Sequence, residues 1–123
     1  MKTILLVDDE LENLRSLGEI LNRFGYKVIA KPDGRSALSV VQDHTRVDLV
    51  ITDYRMPGMD GLEFLTALKQ VAPSLPVIML TGHSDRELKI KLLGQGASDY
   101  VTKPFDSGEL IARVKVQLKI KSL

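Results

Sequence analysis

Five short β-branched or aliphatic runs without polar alternation narrow the folds open to this chain more than any other feature: Ile4 to Val7, Lys27 to Ala30, Leu49 to Thr52, Val77 to Thr81 and Ser98 to Thr102. A strand with one wet face alternates apolar and polar residues, whereas a strand buried on both faces reads as a continuous apolar run. Every gap between the runs is long enough for a helical crossover. The pattern therefore predicts an α/β fold, a parallel sheet with helices on both faces.

At 123 residues, 44% hydrophobic and 27% charged, the chain has the size and composition of one globular unit, and residues 1–123 read as a single domain. The absence of cysteine excludes disulfides, thiolate zinc sites and cysteine nucleophiles. Seventeen basic against sixteen acidic residues leave a net charge of +1, which is no footprint for direct nucleic-acid or membrane binding. The first apolar run stops at Asp8 and Asp9 with no small-residue cleavage site after it. The longest uncharged stretch, Gln70 to Ser84, is shorter than the roughly 20 residues of a membrane span. The expectation is a cytoplasmic protein.

The helices announce themselves by a repeated device, an acidic or hydroxyl residue followed three positions later by Glu: Asp9 with Glu12, Asp60 with Glu63, Ser84 with Glu87, Asp106 with Glu109. Helical stripes follow as Leu14, Leu17, Leu21 and Phe24 in the first helix and Phe64, Leu65 and Leu68 in the third. Gly25 fits a helix stop, and a second helix is expected from about Asp33 to His44. The last segment fits a strand through Val114, Val116, Leu118 and Ile120, and a helix through Leu110, Ile111, Val114 and Leu118. The Asp106 cap favours the helix.

In open parallel sheets, ligands bind beyond the carboxyl ends of the strands. The first strand ends in Asp8 and Asp9, the third in Asp53 and the fourth in Thr81, while Lys103 follows the fifth. If the first and third strands are neighbours, three carboxylates repel one another, and a cation among them relieves the repulsion. All-oxygen ligation points to a hard ion such as Mg²⁺. A metal, a lysine charge and a hydroxyl around one carboxylate are the parts that phosphoryl transfer needs, with the carboxylate as acceptor.

These residues carry a resemblance. Asp8-Asp9 after an apolar strand, Asp53 followed by Met56, Pro57, Met59, Asp60 and Gly61, then Thr81-Gly82, Gly96-Ala97, Asp99-Tyr100 and Lys103-Pro104-Phe105 stand in the order and spacing of a known family. Over essentially its whole length the chain resembles the receiver domain of bacterial two-component response regulators. The resemblance implies a flavodoxin-like strand order 2-1-3-4-5 and phosphorylation of Asp53 by a sensor histidine kinase or phosphotransfer protein. It implies Mg²⁺ held by Asp9, Asp53 and the backbone carbonyl of Arg55, with Asp8 holding a metal-bound water. Lys103 would contact the phosphoryl oxygens, Thr81 and Tyr100 would act as the switch, and the bond between Lys103 and Pro104 would be cis. It also points to the fourth helix, fifth strand and fifth helix as the face for a second copy or an output partner.

His83 and Arg55 occupy positions that vary within the family beside the phosphoryl group, and both are candidates for setting its lifetime. His44 has no such context and reads as an exposed residue near a helix end. The basic run Arg113, Lys115, Lys119 and Lys121 reads as a solvated face. A phosphatase of the haloacid-dehalogenase type would need a second Asp two residues after the nucleophile as acid and base, and that position holds Arg55. A signalling switch rather than an enzyme is therefore expected. A flavodoxin-type cofactor module would offer glycines or hydroxyls, not Asp8 and Asp9, at its first turn. The intact Asp, Thr and Lys set argues against a degenerate receiver that binds without phosphorylation.

Overall fold

The computed structural model describes residues 1–82 and 86–122, with side chains up to Lys119. Strands and helices alternate along the chain: β1 Thr3–Val7, α1 Leu11–Arg23, β2 Lys27–Lys31, α2 Gly34–Gln42, β3 Leu49–Asp53, α3 Gly61–Val71, β4 Val77–Thr81, α4 Arg86–Gly94, β5 Asp99–Thr102 and α5 Ser107–Ser122. The strands form one parallel sheet in the order β2-β1-β3-β4-β5. All five runs read from the sequence are strands, and the ambiguous last segment is a helix.

The period-two geometry of strands splits the core into two layers. Ile4, Leu6, Leu49, Ile51, Ile78 and Leu80 face α1 and α5, where Leu14, Leu17, Leu21, Leu110, Ile111, Val114 and Leu118 meet them. Leu5, Val7, Val50, Val77 and Met79 face the other way, onto Ala37, Phe64, Leu65, Leu68 and Leu92. β1, β3 and β4 are buried at every residue, which is why they show no alternation. Burial of each such aliphatic side chain contributes about 1.5–3 kcal/mol.

Two expectations are corrected. Asp9 does not cap α1: the N-cap is Glu10, in extended backbone and without a side-chain capping bond. The Asp9 carboxylate is drawn into the acidic cluster at the sheet edge instead. Phe24 does not join the core stripe. It is the C-cap residue of α1, 51% exposed, with Lys115 Nζ 5.5 Å from its ring centroid. Asp60 and Glu63 do form a reciprocal capping box, Asp106 accepts from Glu109 N, and Asp33 caps α2 by accepting from Ser36 N at 2.7 Å. The Ser84 cap and the side chain of Ile120 lie outside the described residues.

Three helices end by one device. In α1, α2 and α4 the second residue after the last capping position donates back to the carbonyl five residues earlier: Tyr26 to Leu21, Thr45 to Val40, Ala97 to Leu92. This motif needs left-handed backbone at the residue between. Gly25 (φ 88°) and Gly96 (φ 108°) supply it in α1 and α4, but in α2 the residue is His44, at φ 62°.

At the start of α3 the constraint is steric. A Cβ on Gly61 would lie 2.7 Å from Tyr54 Cα, 2.8 Å from Met79 Sδ and 3.0 Å from the Asp53 carbonyl oxygen. Only glycine lets α3 begin this close to the end of β3. Gly61→Ala should therefore lower stability by about 1–3 kcal/mol through overpacking. His44→Gly should raise it by about 0.5–1 kcal/mol, the left-handed penalty less the added chain entropy of glycine. Urea denaturation midpoints at constant m-value check both signs.

Candidate functional site at the carboxyl edge of the sheet

The register of β1 on β3 pairs Val7 with Thr52, so the next residues in line are Asp8 and Asp53. Parallel neighbours lie about 4.8 Å apart, and the two acids share strand parity, so both project towards the same side of the sheet. Asp8 is fully buried, Asp53 nearly so and Asp9 exposed; one carboxylate oxygen from each lies within 4.8 Å of the others. Among the described residues this is the one acidic grouping of its kind.

Lys103 reaches the same place from the turn after β5. Its Nζ stands 3.0 Å from Asp53 Oδ1, and its backbone N–H donates to the Thr81 carbonyl at 2.7 Å, tying that turn to the end of β4. The Lys103–Pro104 peptide is cis. Thr81 is fully buried. In the β4–β5 register Met79 pairs with Tyr100, so Thr81, two residues beyond Met79, shares a sheet face with the tyrosine. Tyr100 is half-buried, with Lys89 Nζ of α4 4.8 Å from its ring centroid.

Arg55 sits exposed in the loop after β3, lining a shallow cleft with Tyr54, Met56, Pro57 and Asp60. That loop carries no second carboxylate two residues after Asp53. His83, the other lifetime candidate, lies outside the described residues. His44 is exposed and remote from the acids, at the end of α2.

The sequence reading missed Asn13. Its amide Nδ2 donates to Asp8 Oδ2 at 3.2 Å, while Glu10 N donates to Asp8 Oδ1 at 3.0 Å. Helical side chains tilt towards the N-terminus, so a residue in the first turn of α1 leans back over the end of β1. A polar residue one turn after an acidic strand end was the available signal.

Burial comes first in setting the protonation of Asp8. Burial pushes its carboxyl above the ordinary value, the Asp53 charge adds to that, and the Glu10 N–H, Lys103 and the Asn13 amide oppose it. With a folded value above that of the unfolded chain, about 3.9, the folded protein holds the proton more tightly. The stability tied to protonated Asp8 is thus fully present below about pH 4 and lost as pH rises through the raised value. In metal-free protein Asp8→Asn should accordingly unfold at higher temperature than wild type at pH 7, with the advantage shrinking towards pH 4. Thermal melts in EDTA across that range check this; a constant difference would point to a cause other than ionisation.

A cluster of carboxylates with no nitrogen or sulfur ligand fits a hard divalent cation such as Mg²⁺. The chain matches the family described as response regulator receiver domain over residues 4–115. It is 40% identical over 119 residues to the transcriptional regulatory protein CpxR of Escherichia coli, covering 97% of this chain and 50% of that protein. It is 38% identical over 120 residues to the phosphate regulon transcriptional regulatory protein PhoB of Pseudomonas aeruginosa, covering 96% and 52%. The chain thus spans about half the length of these curated relatives. Among solved structures, a response regulator receiver domain protein of Clostridium thermocellum superposes with a TM-score of 0.93 at 29% identity, covering 99% of this chain and 98% of that one. The chemotaxis protein CheY4 of Vibrio cholerae gives 0.88 at 32% identity, covering 94% and 98%. With the matched segment taking in all five strands except Thr3 at the start of β1, and the whole acidic edge, the chain belongs to the response regulator receiver domain family of two-component signalling.

Proposed function

We propose that residues 1–123 act as one phosphoacceptor unit in which Asp53 takes a phosphoryl group from the phosphohistidine of a sensor kinase or phosphotransfer protein. The observation that carries this reading is the double engagement of Asp53, whose carboxylate belongs to the three-acid cluster and also accepts from Lys103 Nζ at 3.0 Å. An Asp53 oxygen would attack phosphorus, the P–N bond would break, and the imidazole would leave with its electron pair. Mg²⁺, held by Asp9, Asp53 and the Arg55 carbonyl with Asp8 behind a bound water, would supply charge neutralisation. Lys103 would hold the phosphoryl oxygens as a compact point charge.

After transfer, the Thr81 hydroxyl would turn to a phosphoryl oxygen and Tyr100 would follow inwards. The ring of Tyr100 lies against Lys89 of α4, so its movement would remodel the surface of α4, β5 and α5. That surface exposes Ile90, Leu93 and Val116. It is braced by Arg113, which forks onto both oxygens of Asp99 at 2.9 Å. We assign it to docking of a second copy or an output partner. A phosphatase of the haloacid-dehalogenase type fits less well, because Arg55 stands where its acid and base would be. The chain is read as a switch whose only chemistry is its own phosphorylation and dephosphorylation. No helix among the described residues is long and apolar enough to cross a membrane, in keeping with action in the cytoplasm.

With Mg²⁺ and a small phosphodonor, intact mass should rise by one phosphoryl group, and Asp53→Asn should abolish the gain. Asp9→Ala should lose Mg²⁺ affinity, whereas Lys103→Ala should keep the metal and lose phosphorylation. An Asp53→Asn protein that gains the same mass would refute the assignment.

Arg55 contributes its side chain beside the phosphoryl group and only its backbone to the metal, and His83 would flank the same group. Arg55→Ala and His83→Ala should therefore alter phosphate-release rates several-fold with Mg²⁺ affinity nearly unchanged, since about 1.4 kcal/mol in a barrier is tenfold in rate. Release kinetics beside calorimetric Mg²⁺ titration check this.

A further inference from the structure

We propose that Asn13 is a positioning residue for the cation site, its side-chain amide locking the carboxylate of Asp8 in the orientation that Mg²⁺ binding requires. The inference rests on the reading that the acidic cluster holds Mg²⁺, and it adds to that reading a residue from outside the acidic, Thr and Lys set.

Asp8 is fully buried, and each of its oxygens accepts one hydrogen bond: Oδ1 from Glu10 N at 3.0 Å and Oδ2 from Asn13 Nδ2 at 3.2 Å. A carboxylate held at one oxygen still rotates about its Cβ–Cγ bond. Held at both, it has one orientation. An ionised carboxylate offers about four lone-pair sites, so two donors leave others free to face Asp9 and Asp53. The backbone donor comes with the chain turn after β1 whatever the side chains are. The second depends on residue 13 alone.

The chemistry of the amide suits this task. A lysine or arginine in its place would supply the donor but also a positive charge, which would offset the acids and compete with a cation. An apolar side chain would leave Oδ2 of a buried carboxylate without a partner, free to turn towards any other donor. An amide orients the carboxylate and leaves its charge intact. Asn13 also lines, with Asp8, Leu17, Lys103, Pro104 and Phe105, a cleft of about 270 Å³ beside the acids. Its position in the first turn of α1 thus couples the seating of that helix to the geometry of the cluster. Hydrogen-bond partners that orient metal-associated groups typically change affinity 10–100-fold when removed.

The test is calorimetric Mg²⁺ titration of the full chain as wild type, Asn13→Leu, Asn13→Ala and Asp9→Ala, with urea midpoints measured in EDTA and in Mg²⁺. The two Asn13 variants should bind Mg²⁺ about tenfold more weakly, and their midpoints should rise less between EDTA and Mg²⁺ than the wild-type midpoint does, whatever the loss of the hydrogen bond costs the metal-free protein. Asn13→Gln, which keeps the amide one methylene further out, should recover part of the affinity. Two folded Asn13 variants with wild-type Mg²⁺ affinity, beside an Asp9→Ala that has lost it, would overturn the role of Asn13 and leave the metal site standing. Wild-type protein that takes up no Mg²⁺ would overturn both, and the wild-type titration alone reveals that case.

Discussion

The pairing of β1 with β3 sets Asp8 beside Asp53, and the electrostatic conflict this creates organises the rest of the site. Two buried carboxylates at the ends of adjacent parallel strands, with the exposed third within 4.8 Å, place like charges where they repel. The fold answers with donors brought from elsewhere in the chain: Lys103 onto Asp53 across fifty positions of sequence, and Glu10 N with Asn13 onto Asp8. A divalent cation in the proposed site would complete the balance. Removal of Asn13 leaves Asp8 held at one oxygen, and removal of Lys103 takes from Asp53 its nearest cation.

That unit is held by a scaffold with little freedom to adjust. The sheet is packed on both faces, and Gly61 starts α3 so close to Asp53 and Tyr54 that a single methyl group would collide with backbone. At the far end of the sheet, Thr3 N donates to Asp48 Oδ2 and Asp48 N to the Thr3 carbonyl, both at 2.8 Å, which pins β1 to β3 in the register that aligns the acids. Arg46 also reaches Asp48, at 3.5 Å, but it is 80% exposed and such pairs contribute little. A rigid acceptor beside a softer surface is the arrangement that a switch needs, because a local change of charge must move something. In the proposed switch, Tyr100 under Lys89 and the exposed apolar residues of α4 and α5 would form the side that moves.

The five strands, their parallel arrangement and the set of acids at their ends are legible in the amino-acid sequence. Unbroken runs such as Val77 to Thr81 are legible because burial on both faces forbids polar alternation. The Asp60 capping box is legible because both of its partners lie within one turn. Local signals of equal strength misled where a longer-range interaction competed: Asp9 has the spacing of a cap, yet its carboxylate sits with two acids from neighbouring strands. Phe24 has the spacing of the core stripe, yet the helix ends there and the ring turns out towards Lys115. Three features emerge only in the folded chain: the left-handed His44, which no turn residue announced, the direct contact of Lys103 with Asp53, and the amide of Asn13 on Asp8. Periodicity and capping report what a residue does within its own element; His44 closes α2 in that local way without a sequence signal, whereas the contacts of Lys103 and Asn13 depend on how separate elements are seated on one another.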